Sequence, residues 1–471
     1  MNNEQYISDI VANVIKSISN TSANSDSTAV SNHKKGVFEN MSDALEAVNK
    51  AYKQLKKYSV EQREEMIKNI RRLTLEEAEI MAKMGVEETG MGNVADKIIK
   101  HQLVAKKTPG TEDLKPTAMT GDSGLTLVEM APYGVIGSIT PSTNPSETVI
   151  CNSMGMIAGG NGVVFNPHPN AKKVANYAVD LVNRAILEAG GPENLVVSVE
   201  NPTKESSDEM MQSPIVRMLV ATGGPGVVKA LLSSGKKAIG AGAGNPPVIV
   251  DDTADVKKAA KDIVSGASFD NNLPCIAEKE CFAFANIADQ LMSEMQKHGA
   301  YMIKGDDIRK LVDLCLINKD GKYTINKKWV GKDAYKFLEA IGISAPSGTK
   351  LIICETDSSH PFVQEELMMP ILAIVRVPDI DTAIEEACRA EHGNRHSAHI
   401  HSKNIDHLSR FAKEVETTIF VKNAPSYAGI GAGGEGYTTF TIAGPTGEGL
   451  TAAHSFTRSR RCVLVDGFHI V

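Results

Sequence analysis

Apolar side chains near the start of the chain fall at Ile7, Ile10, Val11, Val14, Ile15 and Ile18. That spacing gathers all six on one face of a helix. A tract rich in Ser, Asn and Thr follows at 19–32, and the stretch 19–36 reads as a flexible linker. A short apolar stripe on such a tether does not easily reach a nearby core. It points to a helix that docks in a partner's groove, with docking on its own domain as the competing reading. From Val37 the pattern is helical. Ala44, Leu45, Val48, Ala51, Tyr52 and Leu55 predict one helix over 42–55, and Ile67, Ile70, Leu73 and Met81 continue the period through 59–89.

The period then shortens. Residues 125–130 read as a strand within a polar, glycine-containing section. Residues 134–139 form a short apolar strand that runs into Thr140-Pro141-Ser142-Thr143-Asn144-Pro145 and then a helix. Two more strands, at 162–165 and 215–220, end in the turns Asn166-Pro167-His168-Pro169 and Ala221-Thr222-Gly223-Gly224. Residues 281–285 read as a buried strand, and 462–465 as a last one. Strands alternating with helices predict an α/β fold, in which ligands sit at strand-to-helix turns.

With 471 residues, two or three domains with ample core are expected. Apolar content of 42% and charged content of 23% place the chain among ordinary globular proteins. The net charge of −7 provides no basic footprint, so no nucleic-acid partner is expected. No apolar run approaches the roughly 18 residues of a membrane span, and no basic-then-apolar start marks a secretory signal. The seven cysteines are scattered without CxxC spacing, which fits a reducing cytoplasm and neither a disulfide frame nor a zinc site.

Among candidate chemistry, Cys275 stands out. It follows a polar, proline-bearing loop, Asn271-Asn272-Leu273-Pro274, and precedes the 281–285 strand. A loop at a strand edge can present a thiol to a pocket. A nucleophilic thiolate needs partial exposure and a polarising surround, whereas the alternative is a buried cysteine acting as a small hydrophobe. The glycines at 223 and 224 allow a backbone to approach a pyrophosphate at a helix start. His392, His396, His399 and His401 invite a metal reading, but Ala398 and Ile400 alternate with the last two, which predicts a strand carrying ordinary imidazoles.

The run Asn-Asn-Leu-Pro-Cys-Ile-Ala resembles the catalytic-cysteine loop of the aldehyde dehydrogenase superfamily, and more closely its coenzyme A-acylating branch. The resemblance covers 37–471 and is similar to propionaldehyde and acetaldehyde dehydrogenases of propanediol and ethanolamine microcompartments, and to clostridial butyraldehyde dehydrogenases. It implies an aldehyde dehydrogenase-like α/β fold: a Rossmann-like cofactor domain at 37–250, interrupted by an arm at 112–131; a catalytic thiol domain at 251–435; and a tail with an oligomerisation strand at 436–471. It further implies a homodimer or homotetramer. Helix, linker and enzyme in this order resemble microcompartment encapsulation peptides, which implies a shell-protein partner for residues 1–18 and a place in the microcompartment lumen within the cytoplasm.

The same resemblance assigns roles. Cys275 is the expected nucleophile, and Asn144 the amide that donates to the substrate oxygen; a helix-capping Asn is the alternative. Thr140, Pro141, His168, Thr222, Gly223, Gly224, Gly242 and Glu366 are expected on the cofactor side, with Glu366 matching the carboxylate that binds the nicotinamide ribose. Where relatives carry an acidic adenosine-ribose ligand, this chain has Asn-Pro-His-Pro, so NAD and NADP both stay open. Ala241 stands where hydrolytic members carry the glutamate that activates water, and no carboxylate lies between Ala238 and Val250. The expected reaction therefore passes the acyl group of a short-chain aldehyde to coenzyme A. Butyraldehyde as main substrate, hydrolysis to free acid, and a scaffold that merely keeps the fold are the rivals.

Overall fold

The computed structural model describes residues 35–471. The expected docking helix at 1–18 and the linker up to residue 34 lie outside the described residues. The last two linker residues are already tied to the body, which corrects that boundary. The Lys35 amide donates to Asp180 Oδ1 at 2.8 Å, and the Gly36 carbonyl accepts from the Ser198 amide at 2.8 Å. Gly36 has φ +78°, a left-handed turn that glycine adopts without strain.

Four helices come first: Met41–Leu55, Val60–Glu76, Ala78–Thr89 and Val94–Lys107. Asn40 caps the first through Asp43, and Ser59 and Gln62 cap the second reciprocally. The helical period expected through 59–89 is divided at Glu77, where the backbone leaves the helical range with φ −107° and ψ 11°. The Glu77 carboxylate accepts from Arg184 and the Tyr177 hydroxyl, at 2.8 and 2.7 Å.

A six-stranded parallel sheet follows, ordered Val37–Phe38, Val196–Val199, Gly162–Pro167, Val135–Thr140, Val216–Thr222, Lys237–Ala241. Apolar clusters cover both faces, so its inner strands read as continuous apolar runs rather than alternating ones. From Val135–Thr140 the chain winds one way through the next two strands, then returns to place Val216–Thr222 on the other side. This reversal opens a crevice at the carboxyl ends of these two strands.

The second sheet has seven parallel strands: Ala300–Ile303, Leu351–Thr356, Ile371–Val377, Glu280–Phe284, Pro247–Val250, Ser397–His401 and Ile419–Lys422. The boundary expected at 250 does not match this pairing. Strand Pro247–Val250 lies inside the second sheet, between Glu280–Phe284 and Ser397–His401, so the chain crosses from sheet to sheet at 242–246. Its Val248, Ile249 and Val250 are fully buried, as an interior position in a parallel sheet demands.

A third, antiparallel sheet joins Thr117–Gly121, Gly124–Pro132 and the last strand Thr457–Val465. Between the second sheet and that strand, the chain returns to the first body, where Ala443, Ala453 and Phe456 enter its core. Among the described residues no helix is long and apolar enough to cross a membrane.

Candidate active site

Cys275 lies between the 3-10 turn Phe269–Asn272 and strand Glu280–Phe284. The turn is unusual. Asp270, Asn271 and Asn272 have φ of 46°, 56° and 65°, three successive non-glycine residues in the left-handed region. Asp and Asn tolerate that region better than most residues, yet three in a row store strain that the surroundings must hold. Each side chain is indeed tied down. Asn271 Nδ2 donates to Gly331 O at 2.9 Å and Asp333 Oδ1 at 3.0 Å. Asn272 Nδ2 donates to Ala267 O and Glu278 O at 2.8 and 3.0 Å. Asp270 Oδ2 accepts from Lys97 Nζ at 3.0 Å and Lys100 Nζ at 2.6 Å. Gly92 is required here: its φ is +74°, and a Cβ would collide with the Asp270 carboxylate.

Cys275 is partly exposed as a residue, unlike Cys151, Cys281, Cys315 and Cys354, which are buried. Burial, with the Glu366 carboxylate facing it, pushes the Cys275 thiol up to about 12. Lys279 and the amides of Cys275 and Ile276 pull the other way without winning. The expected polarising surround is therefore present but outweighed, and the resting sulfur is a protonated thiol. Lys279 is 2% exposed, and its ammonium donates to Asn272 Oδ1 at 2.6 Å and Asn272 O at 2.9 Å, so this cation grips the turn just ahead of Cys275. Burial lowers its own pKa, against the charge of Glu366. Glu366 is raised by burial, with Lys279 and the Gly244 amide opposing. Gly244 lies against the same loop: a Cβ there would stand 2.9 Å from Cys275 O and 2.8 Å from His396 Cγ.

Asn144 precedes helix Pro145–Ala158, but its side chain does not cap it. Its Oδ1 instead accepts from Lys100 Nζ at 2.7 Å. Lysine has only donors, which fixes the oxygen of the amide on that side and the NH₂ on the other. Nδ2 makes one long bond, 3.3 Å to Thr143 Oγ1, and keeps a second N–H uncommitted among the described residues.

Thr140, Pro141, Thr222, Gly223 and Gly224 gather at the crevice between the central strands of the first sheet. The Thr140 hydroxyl is buried and has no partner among the described residues. The Thr222 hydroxyl meets that of Thr441 at 2.8 Å. Gly224 opens helix Pro225–Leu232, and a Cβ on Gly223 or Gly224 would meet nothing within 4 Å. Neither packing nor a positive φ demands glycine there, which leaves room for a ligand's phosphates at the helix start. Gly242 lies in the crossing segment, where a Cβ would stand 3.3 Å from Pro445 Cγ. His168 stands apart, exposed on the turn one strand further out; its Nδ1 accepts from the Asn170 amide at 3.2 Å. His399 and His401 are buried in strand Ser397–His401, and His392 Nε2 meets Gln364 O at 2.8 Å.

Sequence reasoning missed Lys97, Lys100, Asp270 and Lys279. Helix Val94–Lys107 did carry a signal: Lys97, Lys100 and His101 share the face of the buried Ile98 and Val104, where solvated lysines do not belong. A cavity of about 880 Å³ opens beside this cluster, lined by Asn93, Leu103, Phe269, Asn271 and Tyr427 among others. Cys275 and Asn144 do not line it, but Leu103 and Tyr427 pack in the same apolar cluster as Cys275.

Comparison with known proteins shows the family. The aldehyde dehydrogenase family model matches residues 16–452. The chain is 47% identical over 464 residues to acetaldehyde dehydrogenase (acetylating) EutE of Escherichia coli (strain K12), spanning 98% of this chain and 99% of that one. It is 58% identical, with a TM-score of 0.91, to a propionaldehyde dehydrogenase from the Clostridium phytofermentans fucose utilisation bacterial microcompartment, covering 93% of this chain and 100% of that one. A Rhodopseudomonas palustris propionaldehyde dehydrogenase solved with bound CoA and an acylated cysteine is 56% identical, with a TM-score of 0.90 over 92% of this chain and 98% of that one. The chain thus belongs to the aldehyde dehydrogenase family, in its coenzyme A-acylating branch.

Proposed function

We propose that the chain oxidises a short-chain aldehyde, propionaldehyde or acetaldehyde, with NAD and coenzyme A, giving acyl-CoA and NADH through a thioester on Cys275. The observation that carries this reading is the partly exposed Cys275 behind a turn that Asp270 and Lys100 tie to the Asn144 amide, beside a crossing segment that has no carboxylate.

Thr140, Thr222, Gly223, Gly224 and Glu366 would hold the dinucleotide, with Pro141 and Gly242 beside them and His168 towards the adenosine ribose. NADP is admitted as well as NAD, because no acidic side chain follows Pro167 on that turn. When bound, the nicotinamide accepts the one hydride that the reaction removes. The chain's residues do the rest. The Cys275 sulfur bonds the aldehyde carbon as its proton is released to solvent, the one proton the oxidation sets free, and the Glu366 carboxylate is the strongest charge holding that proton back. Asn144 Nδ2–H, with a backbone N–H, holds the oxygen as it becomes negative. Loss of hydride leaves a thioester on Cys275. The thiol of coenzyme A then bonds the acyl carbon, the bond to Cys275 breaks, and the proton of coenzyme A replaces the one Cys275 lost. A thiol with an appreciable thiolate fraction needs less help from a base than water does, in keeping with Ala241 at the position where hydrolytic relatives carry glutamate.

Two further parts of the reading concern assembly. The apolar face of residues 1–18 supports docking on a microcompartment shell protein and a place in its lumen, and one similar protein comes from such a microcompartment. The exposed Met119, Val463, Leu464 and Val465 of the three-stranded sheet support a homodimer or homotetramer.

The test supplies aldehyde and NAD with and without coenzyme A and identifies the product by mass spectrometry. Acyl-CoA formed only when coenzyme A is present supports the reading. Free acid formed at the same rate without it supports the hydrolytic rival, and no NADH at all supports the scaffold.

A further inference from the structure

The Lys100 ammonium lies 1% exposed beneath the site, donates to Asn144 Oδ1 at 2.7 Å and Asp270 Oδ2 at 2.6 Å, and forms an ion pair with Glu147 Oε1 at 3.0 Å. One partner is the expected oxyanion donor, one begins the left-handed turn before Cys275, and the third lies in the first turn of helix Pro145–Ala158. Among the described residues no other side chain bonds both Asn144 and the cysteine turn. Burial alone would discharge Lys100, but Asp270 and Glu147 outweigh it and keep the lysine protonated, while Glu147 is held down to about 2. A protonated lysine cannot accept a hydrogen bond, so the Asn144 amide cannot turn its NH₂ towards it.

We propose that Lys100 is the positioning residue of the oxyanion site: its ammonium holds Asn144 by the oxygen, so that the amide N–H faces the substrate, and through Asp270 it fixes that donor in register with Cys275. This rests on the roles proposed above for Asn144 and Cys275. A lysine that only neutralised buried charge would not need to contact Asn144. Nor would its loss alter the donor's direction.

Removing Lys100 alone would orphan two carboxylates, so the substitution is paired with E147Q; Asp270 then keeps Lys97 at 3.0 Å. Against the E147Q control, K100M/E147Q is expected to lower kcat about tenfold or more, within the range typical of an impaired oxyanion donor. The KM values for NAD and coenzyme A should stay within about twofold, because no ligand-binding group has changed. Adding N144A to K100M/E147Q should cost little more than N144A costs alone, since both changes remove one interaction. The carbonyl stretch of the Cys275 acyl-enzyme, prepared from ¹³C-labelled propionyl-CoA, should move to higher frequency in K100M/E147Q, as in N144A. Should K100M/E147Q fail to fold, Lys100→Arg keeps the charge and displaces the donor, and the same loss of kcat at unchanged KM is expected. Normal kcat in either folded variant, or losses that multiply with N144A, would overturn the proposal. A wild-type enzyme that makes no acyl-CoA would instead sink the reading of the whole site.

Discussion

At the scale of single residues, the balance of charges on Cys275 decides how the enzyme rests. Burial and Glu366 hold the thiol protonated, and Lys279 does not offset them. Glu366→Gln removes the largest charge opposing the thiolate, so the Cys275 pKa should fall. Alkylation by iodoacetamide at neutral pH should then speed up by about tenfold for each unit of that fall, while the KM for NAD rises. The check is a pH profile of alkylation for both proteins, with the modified peptide identified. An unchanged or slower profile would show that Glu366 does not face the thiol. Cys275 and Asn144 could be singled out from the sequence because each sits in a contiguous run whose neighbours carry the signal. For Lys100 the helix face could show burial, but not its role, because its partner Asp270 is 170 residues away.

At the scale of elements, strand Ser397–His401 buries two imidazoles in the second sheet. Burial lowers His399 and His401 to about 3, and the neighbouring His396 to about 4. The unfolded chain binds these protons below about 6.5, whereas the folded chain does not, so stability is lost as pH falls through that value. Glu278 works the other way: burial pushes its carboxyl up to about 7, so the folded state holds a proton there that the unfolded state releases above about 4.5. Glu280, buried beside it, is raised in the same sense. The imidazole contribution is isolated by substitution: calorimetry from pH 8 to pH 5 should show the unfolding midpoint falling more steeply below about 6.5 in the parent than in a folded His401→Gln variant, which has one imidazole fewer to charge. Parallel profiles would contradict this. The alternation of Ala398 and Ile400 with the histidines made this strand legible. The place of Pro247–Val250 was not, because a four-residue apolar run reads the same in either sheet and only its pairing settles which one. The left-handed turn was half legible: Asp-Asn-Asn tolerates positive φ, but the lysines and backbone groups that hold it come from distant segments.

At the scale of the whole molecule, two parallel sheets meet through the crossing at 242–246, with Thr140 and Thr222 at the carboxyl ends of central strands of one and the Cys275 loop leading into a strand of the other. The α/β class and the family could be read from the sequence because strand-to-turn motifs occur in order along it. Which strand belonged to which sheet depended on long-range pairing that periodicity does not encode. Residues 1–18 are proposed to serve targeting and not the fold. Deleting them should leave turnover and thermal midpoint nearly unchanged but release the enzyme from a microcompartment shell. Loss of several degrees of stability on deletion would return the helix to the fold. The central claim is that acyl groups pass through Cys275 to and from coenzyme A. The most direct measurement mixes the enzyme with propionyl-CoA, without dinucleotide, and maps the product by peptide mass spectrometry. The account predicts one propionyl group on the peptide carrying Cys275, released by added coenzyme A and absent in a folded Cys275→Ala variant. No adduct, or one that persists in Cys275→Ala, would contradict it.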